Sequence, residues 1–385
     1  MEILHLCLCG PVTDNWNYQD NLLPKYHKKI GNSVTVITSQ WVRNNSGELI
    51  KFKKSNYLND DGVRMIRLPI KGDKDLIKKF KSFKGLYESI EKCKPNIIFI
   101  HGCQFIDMKY VVKYVEKHPE VQVYLDNHAD FYNSGKNWVS KSILHKLIWR
   151  NSAKKIQPFV RRFYGVLPAR VDFLTDIYKV PKEKVELLVL GADDEKVNEV
   201  KNSDANELRN KYEIKPNDFL IMTGGKINNH KTQVFLLMKA IKELKNPNIK
   251  LIVFGSVEAQ YKSEFNKLLN ENVKYIGWID SQDTYRYFNA SDLVVFPGLH
   301  SVLWEQVVGL GKPCVFRYME GFTHIDLGGN CEFLYEDSVD EIKRVISEIY
   351  NSPEKFVEMK NVALTSGMEK FSYENIAKRS ISFNK

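Results

Sequence analysis

Six cysteines occur in 385 residues, and none belongs to a C-x-x-C pair. Cys7 and Cys9 share one face of an expected strand, because strand side chains alternate, but no histidine cluster joins them. That pattern does not make a zinc site, and all six are expected to be reduced thiols in a cytoplasmic protein. Apolar runs long enough to cross a bilayer are missing too. The opening MEILHLCLCGPVTDNWNYQ lacks a basic flank and a small-residue cleavage site, so it is expected to be a buried strand and not a secretory signal. A phosphate loop of the form GxxxxGK followed by Ser or Thr is absent. No aspartate or glutamate lies between Asp130 and Asp172, in a chain whose formal charge is +10. Such a basic excess implies an anionic partner: nucleic acid, anionic lipid or phosphate.

What is present reads as two runs of alternating strands and helices. In the first half, ILHLCLC, SVTVITS, Arg64–Leu68, NIIFIHG and VQVYLDNHAD are expected strands. LLPKYHKKIG, the apolar stripe Leu76–Ile90 and residues 107–118 are expected helices. The second half repeats the habit with DFLIMTGG, IKLIVFGS, KYIGW, DLVVFPG and PCVFRY as strands. Helices are expected near 232–245, 259–270, 284–290 and 302–310, and in SVDEIKRVISEIY and SYENIAKR. This alternation predicts an α/β protein with mostly parallel sheets covered on both faces. The length suits two domains, here 1–195 and 196–365, with 366–385 as a closing helix. In open α/β sheets ligands sit outside the carboxyl ends of strands, so the polar residues there are the candidates.

Gly224 and Gly225 follow one strand, and GGKINNHK then brings Lys226 and Lys231. Glycines after a parallel strand let backbone approach a ligand, and the next helix offers its N-terminus to phosphate; a tight turn with exposed lysines would look the same. In PGLHSVLWEQVVGLGKP, residues 297–313, His300, Ser301 and Val302 stand where a helix should begin and leave backbone donors for an anion. Glu305 lies one turn further on an otherwise apolar stretch, where a carboxylate could bind a sugar or ribose hydroxyl or simply cap the helix.

These motifs resemble the nucleotide-sugar domain of the large retaining glycosyltransferase family usually called family 4 (group 1), of the GT-B fold. The resemblance covers about 215–380. Members carry a glycine-arginine turn followed by a lysine, and Gly225-Lys226 with Lys231 matches it with lysine for arginine. The resemblance implies that both basic groups grip the donor diphosphate. Members also carry two glutamates separated by seven residues before a glycine-lysine-proline turn. Glu305 and Gly311-Lys312-Pro313 match the second glutamate and the turn, which implies ribose contact for Glu305. The first glutamate is missing, its position falling at Pro297 or lost in a shortened loop. In YIGWIDSQDTYRYFNASDLVVFPG, Trp278 and Ile279 stand where members read the base. FSYENIAK resembles the family's closing helix.

The fold implied is GT-B: two Rossmann-like domains facing across a cleft. The activity implied is retaining transfer of a sugar from a nucleotide diphosphate to a glycan or lipid-linked acceptor, in surface-polysaccharide or glycoconjugate synthesis. In the first half, His128 follows a strand between Asp126 and Asp130; a histidine there can hydrogen-bond a hydroxyl, or the segment is an Asx-stabilised turn. The resemblance implies that His128 lies beside the transferred sugar and Gly10 against the phosphates. No Asp-x-Asp is positioned as in metal-dependent transferases, so no metal or other cofactor is expected. Lys226, Lys231 and the helix start at 300–302 would meet the leaving diphosphate.

The acid-free interval holds Lys136, Lys141, Lys146, Arg150, Lys154, Lys155, Arg161, Arg162 and Arg170, interleaved with Trp138, Ile143, Leu147 and Trp149. Such a basic, apolar helical span suits an anionic membrane surface, which predicts a cytoplasmic protein peripheral to the inner face of the cell membrane. The alternative packs the apolar stripe on the sheet. No nucleic-acid module is recognisable, and no nucleic-acid partner is expected. A nucleotide-sugar epimerase of the same fold, or a noncatalytic nucleotide-sugar-binding relative, are the alternative functions.

Overall fold

A computed structural model describes residues 1–44, 47–71, 81–134, 139–281 and 283–382. The chain forms two compact units, Met1–Leu190 with Tyr373–Lys385, and Gly191–Ser372.

The first unit is built on an eight-stranded sheet. Its spatial order is Val185–Leu187, Val160–Gly165, Gln122–Asn127, Ile97–His101, Glu2–Cys7, Ser33–Ser39, Arg64–Leu68 and Asn56–Leu58. All neighbours are parallel except the last pair. The central strands are nearly continuous apolar runs because a parallel sheet is buried on both faces: Ile97–His101 is buried throughout, and Glu2–Cys7 from its second residue on. Leu4, Leu6, Ile98 and Ile100 turn one face into the main core with Met108, Val111 and Val115 of helix Met108–Lys117. Each such side chain contributes about 1.5–3 kcal/mol on burial. The other face carries the rings of His5, Phe99 and His101, which pack on one another; His5 and Phe99 also pack against His27 of helix Gln19–Lys29. The carboxyl-terminal helix Tyr373–Ile381 covers His27 from outside.

The second unit has a fully parallel six-stranded sheet in the order Val273–Tyr275, Ile249–Phe254, Phe219–Gly224, Leu293–Phe296, Cys314–Arg317, Cys331–Leu334. Its core joins Ile221, Leu251, Val253 and Val295 to Leu237, Met238 and Ile241 of helix Gln233–Leu244. Helix Leu303–Gly309 is crossed closely by helix Pro353–Phe371. A Cβ at Gly367 would stand 2.3 Å from the Val308 carbonyl oxygen, and one at Gly309 2.5 Å from Ala192 Cβ. Both positions therefore need glycine, Gly367 so that backbone meets backbone and Gly309 to admit the Ala192 side chain.

Several described segments were not placed by the sequence reading, and two of them are instructive. Val160–Gly165, placed within the basic helical span, is a strand. Arg161 and Arg162 hide its pattern; Arg162 escapes the sheet by donating to the Glu183 carbonyl at 2.7 Å. Helix Pro353–Phe371 was not anticipated, because its buried residues Met359, Ala363, Gly367 and Phe371 make a narrow stripe of partly small side chains. Leu76, Ile77 and Phe80 of the stripe Leu76–Ile90 lie outside the described residues, which resume at 81; its end forms helix Leu86–Cys93.

Candidate functional site

In the second unit, three strands end in glycine-bearing loops packed side by side. Gly225 follows Phe219–Gly224, Gly255 follows Ile249–Phe254, and Gly277 follows Val273–Tyr275. Gly255 has φ +115° and donates to the Gly277 carbonyl at 2.7 Å. A Cβ on it would fall 1.9 Å from the Gly225 carbonyl oxygen, so only glycine fits. Gly225 itself has φ +123°, and a Cβ there would lie 3.8 Å from Lys231 Nζ. A Cβ at Gly298 would come 3.7 Å from Lys231 Cα and 3.3 Å from Gln233 Oε1. Gly225, Lys231 and Gly298 thus converge at the carboxyl ends of adjacent strands. Lys231 is half-buried, and burial lowers its pKa. Lys226 behaves differently: its side chain is 62% exposed and pairs with Glu258 at 3.4 Å. Trp278 is exposed and Ile279 half-buried in the loop after Gly277.

Helix Leu303–Gly309 starts after Val302, with His300, Ser301 and Val302 half-buried. Glu305 is fully enclosed. Its Oε1 accepts from His300 Nε2 at 2.8 Å and from His324 Nε2 at 2.9 Å. Burial alone would raise the Glu305 pKa, but His300 and then His324 outweigh it and hold the carboxyl well below its usual range. Glu305 Oε2, His324 Nδ1, Trp304 Nε1, Ser301 Oγ, Gln233 Oε1 and Thr223 Oγ1 are buried without a hydrogen-bond partner. So many bare polar atoms around one short helix mark a place where water or ligand groups complete the bonding. His324 was missed by the sequence reading, as it lies nineteen residues from Glu305 in GFTHID with no spacing rule to link them. Lys312 of the glycine-lysine-proline turn is structural. It donates to the carbonyls of Asn289 at 2.6 Å and Ser291 at 2.9 Å, and burial brings its pKa down to about 8.

In the first unit, Gly10, Asp20, His101, Gly102 and His128 line a cavity of about 710 Å³. Two of these, His101 and His128, lie against Asp126, a fully buried carboxylate at the end of Gln122–Asn127. Oδ2 of Asp126 meets His101 Nδ1 at 3.0 Å and accepts from Gln19 Nε2 at 2.8 Å; Oδ1 meets His128 Nε2 at 3.2 Å. Burial would raise the Asp126 pKa, yet His101 and then His128 hold it below the ordinary carboxylate range. A Cβ on Gly10 would meet nothing within 4 Å, so that glycine borders open space. Asp130 is occupied elsewhere, paired with the guanidinium of Arg170 at 3.0 Å. A second cavity of about 390 Å³, lined by Leu8, Trp41, Leu49 and Phe83, shares Gly10 and Lys81 with the first.

Three sets of side chains converge within 4.8 Å among the described residues: Cys7, Asp20 and His101; His101, Asp126 and His128; and His300, Glu305 and His324. Within these sets the nitrogen–oxygen separations run from 2.8 to 3.3 Å.

The basic span divides. Trp149 is 5% exposed and packs in the first unit's core, which overturns its reading as an interfacial side chain. Its indole closes the core beside Ala153 and Ile156, where its apolar area is better buried than in a headgroup layer. Arg170 is tied inward by Asp130. Trp138 and Lys136 lie outside the described residues. Ile143 and Leu147 are exposed, beside exposed Lys146, Lys154 and Lys155. No helix among the described residues is long and apolar enough to cross a membrane.

Residues 204–364, most of the second unit, match the family model of glycosyl transferases group 1. Whole-chain likeness is to solved structures of low identity. A glycosyltransferase from Rickettsia africae aligns over 98% of this chain and 96% of its own, with TM-score 0.69 and 14% identity. Anabaena HepE in complex with UDP covers 98% of both chains, with TM-score 0.66 and 14% identity. The UDP-GlcNAc 2-epimerase of Neisseria meningitidis, bound to UDP-GlcNAc, covers 99% of both, with TM-score 0.63 and 14% identity. No curated protein sequence matches this chain. The fold is therefore GT-B, with a Rossmann-like sheet in each unit, and its relatives in fold include both glycosyltransferases and epimerases.

Proposed function

We propose that this protein is a retaining glycosyltransferase that moves a sugar from a nucleotide-diphosphate donor to a glycan or lipid-linked acceptor in surface-polysaccharide or glycoconjugate synthesis. The observation that carries this reading is the convergence of Gly225, Lys231 and Gly298 at the strand ends of the segment that matches group 1 glycosyl transferases. In it, Gly225 lets the donor diphosphate approach the backbone, and Lys231 meets its charge from a half-buried position. Lys226, which has only a surface carboxylate to leave, swings in from Glu258. Backbone donors at His300, Ser301 and Val302 complete the anion site, and fixed positive groups then stabilise the leaving diphosphate without a divalent metal. Glu305, kept ionised by His300 and His324, receives the ribose hydroxyls through its unpartnered Oε2. Trp278 and Ile279 border the base.

The same reading makes residues 1–195 the acceptor-binding part, 196–365 the donor-binding part and 366–385 the brace. His128, steadied through Nε2 by Asp126, contacts the transferred sugar, and Gly10 leaves room for phosphate. Anomeric configuration is retained by front-face attack, the donor phosphate taking the acceptor hydroxyl's proton as the new glycosidic bond forms. Exposed Ile143 and Leu147 among lysines support a peripheral position on the inner face of the cell membrane.

A panel of nucleotide sugars, offered with lipid-linked and free-sugar acceptors, tests the proposal. Acceptor-dependent transfer with retained configuration, lost in Lys231→Ala, supports it. Inversion at C2 without acceptor would make the protein an epimerase, and nucleotide binding without turnover a noncatalytic relative.

A further inference from the structure

A buried chain of polar contacts links Asp126, behind the cavity-lining His101, to the carboxyl-terminal helix, and both of its ends are acceptors. At the outer end, His27 Nε2 lies 3.1 Å from the Ala377 carbonyl oxygen and 2.8 Å from Ser380 Oγ. The Ser380 hydroxyl sends its own hydrogen to the same carbonyl at 2.9 Å. A carbonyl only accepts and a hydroxyl has one hydrogen, so the hydrogen on this contact belongs to His27 Nε2. At the inner end, His101 Nδ1 faces Asp126 Oδ2 at 3.0 Å and Asp20 Oδ1 at 3.3 Å. The 3.0 Å contact is an ion-pair separation, not an aligned hydrogen bond, but carboxylates carry no hydrogen and a bare ring nitrogen would face two negative oxygens, so His101 Nδ1 carries a hydrogen as well. Between the ends, His101 Nε2 meets His5 Nδ1 at 2.9 Å, and His5 Nε2 meets His27 Nδ1 at 2.9 Å. Each contact needs one hydrogen.

The count decides the charge. Four nitrogen–nitrogen or nitrogen–oxygen contacts require four ring hydrogens, and three neutral imidazoles supply one each. The cluster is one proton in excess. We infer that His101, His5 and His27 form a buried relay that stores one imidazolium, held at His101 against Asp126, and that His5 and His27 are positioning residues which fix His101 in that state. The remaining hydrogens then have one arrangement: His5 and His27 are neutral, each protonated at Nε2 and accepting at Nδ1.

The surroundings agree. Burial pushes His101 down, but Asp126, through its charge and close contact, and then Asp20 bring its pKa above the ordinary value. His5 and His27 are lowered, by burial first. The titratable groups around the three rings are Asp20 on helix Gln19–Lys29, Asp126 with His128 at the strand end, and the Cys7 thiol, which burial keeps protonated. The carboxyl-terminal helix contributes the Ala377 carbonyl and Ser380. If the stored proton is lost while His101 Nδ1 keeps its hydrogen, the two hydrogens between the rings turn round and His27 Nε2 becomes a bare acceptor facing a carbonyl oxygen. Release of the proton therefore opposes docking of that helix, while its retention keeps Asp126 ionised under His128. Any part in sugar transfer rests on the proposed function; the stored proton does not.

The test is ring ¹⁵N spectroscopy of the full chain labelled at histidine, with no donor or acceptor present. At pH 7 the expected result is one doubly protonated ring, assigned by its loss in His101→Gln, and two neutral rings with hydrogen on Nε2. His101 should titrate above the ordinary histidine range. His27→Phe removes the outer acceptor contact and should lower the His101 titration midpoint; Ser380→Ala leaves the carbonyl in place and should not move it. A neutral His101 at pH 7, or His5 or His27 protonated at Nδ1, overturns the inference. Should His27→Phe fail to fold, the parent spectrum alone decides.

Discussion

His324 gives its Nε2 hydrogen to the same oxygen of Glu305 that His300 uses, at 2.9 and 2.8 Å, while the other oxygen of that buried carboxylate receives nothing. The arrangement keeps the charge and leaves one acceptor open. Glu305→Gln is expected to preserve the fold and weaken nucleotide binding by about 1–3 kcal/mol, the scale of a hydrogen bond to a charged group. Calorimetric titration with nucleotide diphosphate measures it; unchanged affinity removes Glu305 from the donor site.

The two lysines should separate in kinetics. Lys231 lies over Gly225 and is half-buried, whereas Lys226 is largely exposed beside Glu258. Lys231→Ala is expected to lower kcat/KM by roughly 2–4 kcal/mol of transition-state stabilisation, and Lys226→Ala by less. Equal rates for Lys231→Ala and the parent at subsaturating donor would refute the diphosphate role.

Transfer should survive chelation, since fixed cationic groups meet the leaving diphosphate in the proposed mechanism. Assays with and without a strong chelator check this. Activity restored only by added magnesium or manganese would show that a metal does that work.

Acid should loosen the first unit before it affects buried carboxylates. The folded pKa of His27 is pushed from 6.5 down to about 3, chiefly by burial, and that of His145 to about 4. Stability from such a neutral histidine is full above 6.5 and is lost as pH falls toward the folded value, because the unfolded chain takes the proton first. Each contributes a slope of up to about 1.4 kcal/mol per pH unit. Urea midpoints should therefore fall between pH 6.5 and 4.5, less steeply in His145→Phe; a flat profile would contradict the burial account.

Anionic vesicles should sediment the protein at low salt and release it as salt rises, since screening acts over roughly 8 Å at physiological ionic strength. Leu147 is 64% exposed and Ile143 40% exposed, on the helix that carries Lys146 and precedes Arg150 and Lys154. Each engaged cation contributes about 1 kcal/mol. Charge reversal at Lys146, Arg150 and Lys154 should abolish sedimentation and leave nucleotide binding intact. A parent protein that stays in solution at low salt ends the membrane proposal.

Legibility followed periodicity. Glu2–Cys7, Ser33–Ser39, Ile97–His101 and Phe219–Gly224 were readable because buried parallel strands are short runs rich in apolar and β-branched residues. Val160–Gly165 was not, since two arginines break that run, nor was the crossing helix that seats Gly367 on Val308. The candidate sites divide in the same way. Gly225, Lys231 and Glu305 stand in local motifs, but the partners that set their chemistry do not. His324 reaches Glu305, and His5 and His27 reach His101, only through the fold; mid-strand and mid-helix histidines carry no local mark. Trp149 misled because an indole beside lysines reads alike whether it faces lipid or a core.

The carboxyl-terminal helix belongs to the first unit, although the whole second unit, Gly191–Ser372, is threaded between them. A ribosome must therefore finish the second unit before the first can close. Until residues 373–381 emerge, His27 Nε2 has no Ala377 carbonyl to meet, and Tyr26 lacks its stacking partner Tyr373 at 6.1 Å. The nascent amino-terminal half must wait with an open flank at His27, and the order of synthesis makes a helix translated after the second unit the one that covers a unit laid down before it.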